Sequence, residues 1–365
     1  MSERRIAVDA RPLCHPGTGI YRYTCELLRR MCRQGGEWFL YSHQRYDAAD
    51  VDLPNVHHRV LGMPAAMRAS QLTHLFFPVW ARRDRVNAFW GPRHQLPLVL
   101  PENVRTAVTI HDLVFRDRSE TMRFPGREVE NFFTPRALAR ADTIAVVSEF
   151  TQRRLQHHFP QHAHKVRLVP GASTLGPTAA AESEAQPQRG QYFLFVGTLE
   201  PRKNLPHLLR AFQRYCEETP QPLSLKIVGG SGWGKEDIAG LVGALRLTQR
   251  VELLGKVDDS DLPALYRGAR ALLMPSLYEG FGLPVAEALS LGVPVVTSQH
   301  SAMAEVAGSA GLYVDPESER EITDALLRLT VERELHAALR SCAAVAIQRY
   351  DWDDSANTLS RILML

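Results

Sequence analysis

The sequence predicts an α/β protein of two domains, each a parallel sheet flanked by helices, and three observations lead there. At 365 residues the chain exceeds the length of one compact domain. Short strand-like runs alternate with helical patterns along most of it. A Ser/Ala/Pro/Gln-rich segment at 172–191, ASTLGPTAAAESEAQPQRGQ, splits the alternation in two and reads as a linker. Alternation of this kind implies right-handed βαβ units, so residues 1–171 and the stretch from 192 onward each predict a Rossmann-like domain.

In the first half, RIAVDA (5–10) is a buried strand, and Ile20, Tyr23, Leu27, Leu28 and Met31 then recur at helical spacing. WFLYS (38–42), NAFWG (87–91), TAVTI (106–110) and TIAVV (143–147) continue the strands; Ser148 is placed to cap a helix, and KVRLV (165–169) closes the half. The second half gives strands at YFLFVG (192–197), LKIVG (225–229), VELLG (251–255), ALLMP (271–275), PVVTS (294–298) and GLYVD (311–315). Helical patterns fill the gaps at about 205–218, 235–247, 259–268 and 284–291. Ligands of such sheets gather at the carboxyl ends of the strands, and two domains of this type facing each other place the site in the cleft between them.

Composition narrows the class. No apolar run approaches the roughly 18 residues that span a bilayer, and MSERRIAVDA lacks the apolar core and cleavage site of a signal peptide. The five cysteines form no CxxC pair, which argues against a disulfide framework or a structural zinc site and for a reducing cytoplasm. Charge is divided: residues 1–170 hold 25 Lys+Arg against 16 Asp+Glu, net +9, while the remainder holds 18 against 24, net −6. A basic first half suggests an anionic partner such as a lipid surface or a phosphate-bearing substrate; arginine used as solubilising surface gives the same count.

Four clusters fall at strand ends. In CHPGTGIYRY (14–23), Gly17 and Gly19 stand where backbone N–H groups and a helix dipole can approach a phosphate; the same glycines also serve a tight turn needing positive φ. In TIHDLVF (109–115), His111 and Asp112 leave an apolar strand at its carboxyl end, where His111 lines a cleft and Asp112 orients that ring or caps a turn. In VGTLEPRKNLPHLL (196–209), Arg202 and Lys203 precede a helix, a pairing suited to a diphosphate and also to a solvated loop. In PSLYEGFGLPVAEAL (275–289), Pro284 sets a helix start near Leu283, leaving Glu279 in the loop and Glu287 one turn into the helix. Gly280 and Gly282 let the backbone approach a ligand, so the N–H groups of Phe281, Gly282 and Leu283 can meet an anion or sugar hydroxyls. Either glutamate taken singly also reads as a solvated helix residue.

Together, EGFGLPVAE (279–287) with its E-x7-E spacing, the PRKN turn (201–204), IHD (110–112), PGTGIYRY (16–23) and VVSEFTQRRL (146–155) resemble the retaining glycosyltransferases of family 4, which have the GT-B fold. The resemblance covers nearly the whole chain. It implies that Arg202 and Lys203 bind the diphosphate of a nucleotide sugar, that Glu287 holds the ribose, and that Glu279 and the 281–283 backbone contact the transferred sugar. It further implies that Gly17 and Gly19 approach the diphosphate and acceptor and that His111 sits beside the donor sugar and the incoming hydroxyl. Transfer then proceeds on one face of an oxocarbenium-like sugar with retention, needing neither metal nor cofactor; no DxD-like motif occupies the loops placed at the cleft. The final segment, DWDDSANTLSRILML (351–365), is expected to form a helix returning to the first domain, with Trp352, Leu359, Ile362 and Leu363 on one stripe, which ends the second domain at 350.

For the substrates, resemblance to bacterial mannosyl- and rhamnosyltransferases implies a GDP-sugar donor and a lipid-linked polysaccharide acceptor, as in O-antigen assembly. Arg82, Arg83 and Arg85 beside Leu75, Phe76, Phe77 and Trp80 give a face for an anionic inner membrane on its cytoplasmic side, or else core packing around a strand. A sugar-nucleotide epimerase of the same architecture and a non-catalytic nucleotide-sugar-binding partner are the alternatives. The missing GxGxxG argues against a dehydrogenase, and a half-basic surface alone does not support nucleic-acid binding.

Overall fold

The computed structural model describes residues 4–47, 49, 51–62, 69–175, 190–234 and 236–364. The chain forms two compact units: one of Met1–Phe115, Phe124–Gly171 and Asp351–Leu365, the other of Arg116–Arg123 and Ala172–Tyr350. Of the linker expected at 172–191, residues 176–189 lie outside the described residues.

The first unit contains seven strands: β1 (Arg5–Asp9), β2 (Glu37–Ser42), β3 (Val56–Val60), β4 (Ala88–Gly91), β5 (Arg105–Ile110), β6 (Thr143–Val146) and β7 (Val166–Leu168). All pair in parallel, in the order β3-β2-β1-β4-β5-β6-β7. Helices α1 (Gly19–Met31), α2 (Ala69–Arg83), α3 (Val114–Asp117), α4 (Gly126–Arg140) and α5 (Glu149–His158) connect them. Central strands are apolar on both faces, as a helix-covered parallel sheet requires: Ile6, Ala7, Val8, Phe89 and Trp90 are buried. Strand β3 was not expected, because VHHRV carries two histidines and an arginine; an edge position leaves four of its five residues only half-buried and tolerates them. Ser148 caps α5 as its position suggests, its side chain accepting from Thr151 N–H.

The second unit holds β8 (Tyr192–Val196), β9 (Ser224–Val228), β10 (Val251–Gly255), β11 (Ala269–Met274), β12 (Val295–Ser298) and β13 (Gly311–Val314), again all parallel, ordered β10-β9-β8-β11-β12-β13. Its helices are α6 (Leu205–Glu218), α7 (Ile238–Ala244), α8 (Leu262–Gly268), α9 (Leu283–Ser290), α10 (Ala302–Ala307), α11 (Glu319–Val331) and α12 (Arg333–Ile347). Every strand expected from the sequence here forms within two residues of its expected bounds.

The last helix, α13 (Trp352–Met364), belongs to the first unit and packs on α1. Trp352, Leu359 and Leu363 are buried, and Trp352 sets its ring edge-on to Tyr23 at 5.8 Å. Arg30 Nε donates to Asp353 at 2.9 Å and Gln34 to Asn357 at 2.8 Å, fixing the pair at its rim.

In both sheets the chain winds outward one way from the first strand and then the other way. The order reverses between β1 and β4 in one unit and between β8 and β11 in the other. Such a reversal opens a crevice at the carboxyl ends of the two strands, because the loops that follow them depart in opposite directions.

Candidate active site

In the second unit the loops after β8 and β11 meet at that crevice. The loop after β8 turns through a short 3-10 helix, Pro201–Lys203, and Asn204 follows in the left-handed conformation that asparagine tolerates. Asn204 Nδ2 donates to Pro275 O and Pro316 O, and Leu277 N–H donates to Arg202 O at 2.7 Å, so the PRKN turn is tied to the chain leaving β11. These bonds bring together residues 76 and 77 positions apart: Lys203 Nζ donates to Glu279 Oε1 at 2.5 Å, and Arg202 Nη1 to Glu279 Oε2 at 2.5 Å. Arg202 also pairs with Glu200 at 2.6 Å.

Lys203 and Glu279 are 6% and 7% exposed, so this is a buried ionic cluster rather than a solvated loop. Burial alone would raise the Glu279 pKa; Arg202 and Lys203 outweigh it and hold the carboxyl down at about 2. Buried pairs of this kind seldom add much stability over apolar packing, since desolvation consumes most of the attraction. What the cluster supplies is fixed charge at the strand ends.

Helix α9 starts at Leu283, with Pro284 in its first turn as the sequence suggests. Gly282 is its N-cap, at φ +96°, and a Cβ there would lie 2.7 Å from Met303 Cγ, so both conformation and space require glycine. No side chain caps this end, and the first-turn N–H groups point out along the helix axis. The Phe281 side chain is core, packed edge-on to Tyr350 at 5.2 Å. Neither glutamate of the E-x7-E element is a solvated helix residue. Glu287 is buried and accepts from the Tyr266 hydroxyl at 2.8 Å, so the two carboxylates have different partners. Tyr266, on α8, was not singled out by sequence reasoning.

A cavity of about 490 Å³ adjoins the carboxyl ends of β8, β9 and β10, lined by Leu199, the 229–234 glycine-rich stretch, Asp237 and Lys256. Sequence reasoning passed over it, although GGSGWG after β9 was the available signal. Trp233 stands at its wall and donates Nε1–H to Thr121 O.

In the first unit His111 follows β5. Its Nε2–H donates to Pro92 O at 2.7 Å, leaving Nδ1 as the lone-pair nitrogen of the neutral ring. Tyr23 meets the ring edge-on at 5.0 Å, and His111 N–H donates to His94 Nε2 at 2.9 Å, while His94 Nδ1 faces Glu130 at 3.1 Å. Burial, with nearby His94 adding to it, pushes the His111 pKa down to about 3. Asp112 accepts from Val114 N–H, the turn-capping alternative. At the β1–β4 reversal Arg11 forks onto Asp9, with Nη2 2.6 Å from Oδ2, in a pair that sequence reasoning also missed. Gly17 takes φ +86°, the tight-turn reading, in an exposed loop; Thr18 caps α1 onto Tyr21 N–H, and Gly19 is the first helical residue.

Two family profiles match the chain: the one described as Glycosyltransferase Family 4 over residues 17–172, and the one described as Glycosyl transferases group 1 over residues 178–344. The O-antigen chain mannosyltransferase B of Escherichia coli is 31% identical over 376 residues, spanning 96% of this chain and 97% of that one. Among solved structures, the sucrose-phosphate synthase of Thermosynechococcus elongatus superposes with a TM-score of 0.77 at 20% identity, covering 99% of this chain and 98% of that one. The Anabaena protein HepE, solved with UDP and glucose, gives 0.75 at 18% identity with 99% of both chains covered. These likenesses establish the GT-B architecture of two parallel-sheet α/β domains. With the near-full-length correspondence to a mannosyltransferase, the chain belongs to the family 4 glycosyltransferases, its C-terminal unit carrying the group 1 domain.

Proposed function

We propose that the protein transfers mannose, or a 6-deoxy relative, from a GDP-sugar to a growing lipid-linked polysaccharide with retention of anomeric configuration. The observation that carries the reading is Glu279 held between Arg202 and Lys203 at the β8–β11 reversal. A nucleotide diphosphate entering there exchanges for the carboxylate as partner of the two cations, and the uncapped N-terminus of α9 meets the same charge without a divalent metal. Glu279, released from part of that pairing, accepts from hydroxyls of the transferred sugar, and Glu287 with Tyr266 holds the ribose. The 490 Å³ cavity takes the base. His111, neutral and with Nδ1 as acceptor, orients the donor sugar and the incoming hydroxyl. Stabilisation of the departing diphosphate is the main catalytic demand. The choice of mannose rests on the 31% identity with the Escherichia coli enzyme.

The acceptor's lipid brings the enzyme to the membrane's cytoplasmic face through α2. The segment is a helix, not the strand that the core-packing alternative assumed; Phe77 is buried against Tyr41 and Phe89, but Leu75, Phe76 and Val79 are exposed, as are Arg82, Arg83 and Arg85. Sedimentation with anionic vesicles should retain the wild type, and binding unchanged in Leu75→Asp/Val79→Asp would contradict this contact. For the donor, a thermal-shift panel of GDP-, UDP-, ADP- and dTDP-sugars is the test: GDP-mannose should give the largest rise. No rise with any nucleotide sugar would overturn the reading.

A further inference from the structure

We propose that Glu130 and His94 are positioning residues for His111: they hold its main chain and its ring so that Nδ1 is the atom presented to the donor sugar, an inference that rests on His111 standing beside that sugar. The three residues converge from separate parts of the first unit. His94 lies in the 92–95 stretch after β4, His111 follows the neighbouring strand β5, and Glu130 is on α4. Half-buried His111 is gripped at three points: its N–H donates to His94 Nε2 at 2.9 Å, its ring Nε2–H to Pro92 O at 2.7 Å, and its carbonyl accepts from the Thr151 hydroxyl at 3.2 Å. Two of these grips, one on the main chain and one on the ring, come from the single stretch 92–95.

That stretch is itself held in place. His94 N–H donates to Thr109 O at 2.9 Å, and His94 sits at φ +39°, a left-handed conformation that a non-glycine residue keeps only where its surroundings enforce it. On the side chain the enforcing contact is Glu130 Oε2, 3.1 Å from His94 Nδ1, and the same oxygen accepts from the Thr134 hydroxyl at 2.8 Å. A neutral imidazole carries one ring proton, so His94 Nε2 accepts from His111 N–H only while that proton is on Nδ1. A carboxylate accepts and does not donate, so Glu130 selects this tautomer. With the proton on Nε2, two N–H groups would face each other and the hold on the His111 main chain would be lost. Burial works against the charge of Glu130, but His94, Thr134 and Arg93 outweigh it and hold the carboxyl down at about 2. Asp112, the nearer carboxylate in sequence, caps its own turn at Val114 N–H, which leaves the orienting role to Glu130 acting through His94.

The test is a double-mutant cycle on the full-length protein, with transfer rates read beside urea denaturation so that loss of fold is separated from loss of rate. His111→Ala should slow transfer. Glu130→Ala should lower kcat by about 10- to 100-fold, as misplacement of a contact to the reacting groups does. Glu130→Gln, whose amide oxygen still accepts from His94 Nδ1–H, should cost about threefold or less. In the His111→Ala background the Glu130→Ala loss should shrink to about twofold or less, because the pair acts through His111. Nitrogen-15 NMR of labelled histidine gives a second readout that needs no substrate: His111 should hold its proton on Nε2 in wild type, and Glu130→Ala should populate the Nδ1–H tautomer. Where Glu130→Ala does not fold, Thr134→Val, which removes one hydrogen bond to the carboxylate, should show a smaller effect of the same sign. Slowed transfer in His111→Ala with the full Glu130→Ala loss retained in that background overturns the positioning role alone. Wild-type transfer in His111→Ala removes His111 from the reaction and this role with it. An unchanged His111 ring spectrum in Glu130→Ala also overturns it.

Discussion

Lys203 Nζ lies 2.5 Å from Glu279 Oε1, and this bond between the loop after β8 and the loop after β11 organises the candidate donor site. Removing the cation leaves a buried carboxylate with Arg202 as its remaining strong partner. Lys203→Ala should slow transfer by 10² to 10³, the loss of about 2.7–4 kcal/mol that follows removal of one charge-stabilising donor. Initial rates at saturating donor measure it, and circular dichroism checks that the fold persists. Turnover within threefold of wild type would remove Lys203 from the machinery.

Gly282 should tolerate no side chain. A methyl group meets Met303 Cγ at 2.7 Å and forces a φ of +96° on alanine. Overpacking costs about 1–3 kcal/mol, and the left-handed backbone about 1–2 more. Urea denaturation of Gly282→Ala should show that loss, and the double variant with Met303→Ala should remove the steric part of Gly282→Ala's cost, to be separated from the cavity that Met303→Ala itself creates. If Gly282→Ala is as stable as wild type, the glycine is not required by the turn.

Tyr266→Phe deletes the hydroxyl that Glu287 accepts from. A lost buried hydrogen bond of this kind costs about 1–3 kcal/mol. If Glu287 holds the ribose, KM for the nucleotide sugar should rise with little change in kcat. A purely structural Glu287 predicts the stability loss with KM unchanged.

Acid sensitivity follows from depressed pKa values, two of them at residues of the candidate site. His111 falls from 6.5 to about 3 and Glu279 from 4.5 to about 2 on folding. In each case the unfolded chain binds the proton more readily, so the contribution is present above the unfolded pKa and is lost as pH falls through the window. Wild-type stability should decline below about pH 6.5, on the His111 limb, and more steeply below about 4.5. His111→Asn should reduce the slope of the first limb, to which His15, His43, His58 and His74 also contribute, and Glu279→Gln that of the second, which Glu130 shares, read by denaturant unfolding across pH. A first limb of the same slope in His111→Asn would contradict the half-buried neutral imidazole.

Much of the fold was legible because apolar strands such as YFLFV and ALLM, alternating with amphipathic helices, admit few arrangements other than parallel βαβ units. Strand β3 escaped because an edge strand need not be apolar, and α4 because Pro135 sits inside it. At the site, the helix start at Leu283 followed from Pro284 and the glycines, and Arg202, Lys203 and Glu279 were recognisable as residue types. That they neutralise one another was not legible, since the pairing depends on strands β8 and β11 lying side by side. The same holds for Tyr266 beside Glu287 and Arg11 beside Asp9, where a polar residue in an apolar stretch shows only that it needs a partner.

The central claim is retaining transfer of mannose from a GDP-linked donor, and the most direct measurement is NMR of the reaction with GDP-mannose and a mannose-terminated acceptor. Wild type should release GDP in step with a new linkage of the donor's own anomeric configuration, and Lys203→Ala should form it at least 10²-fold more slowly. An inverted linkage, an epimerised nucleotide sugar without transfer, or no reaction with GDP-mannose while another nucleotide sugar is consumed would contradict it.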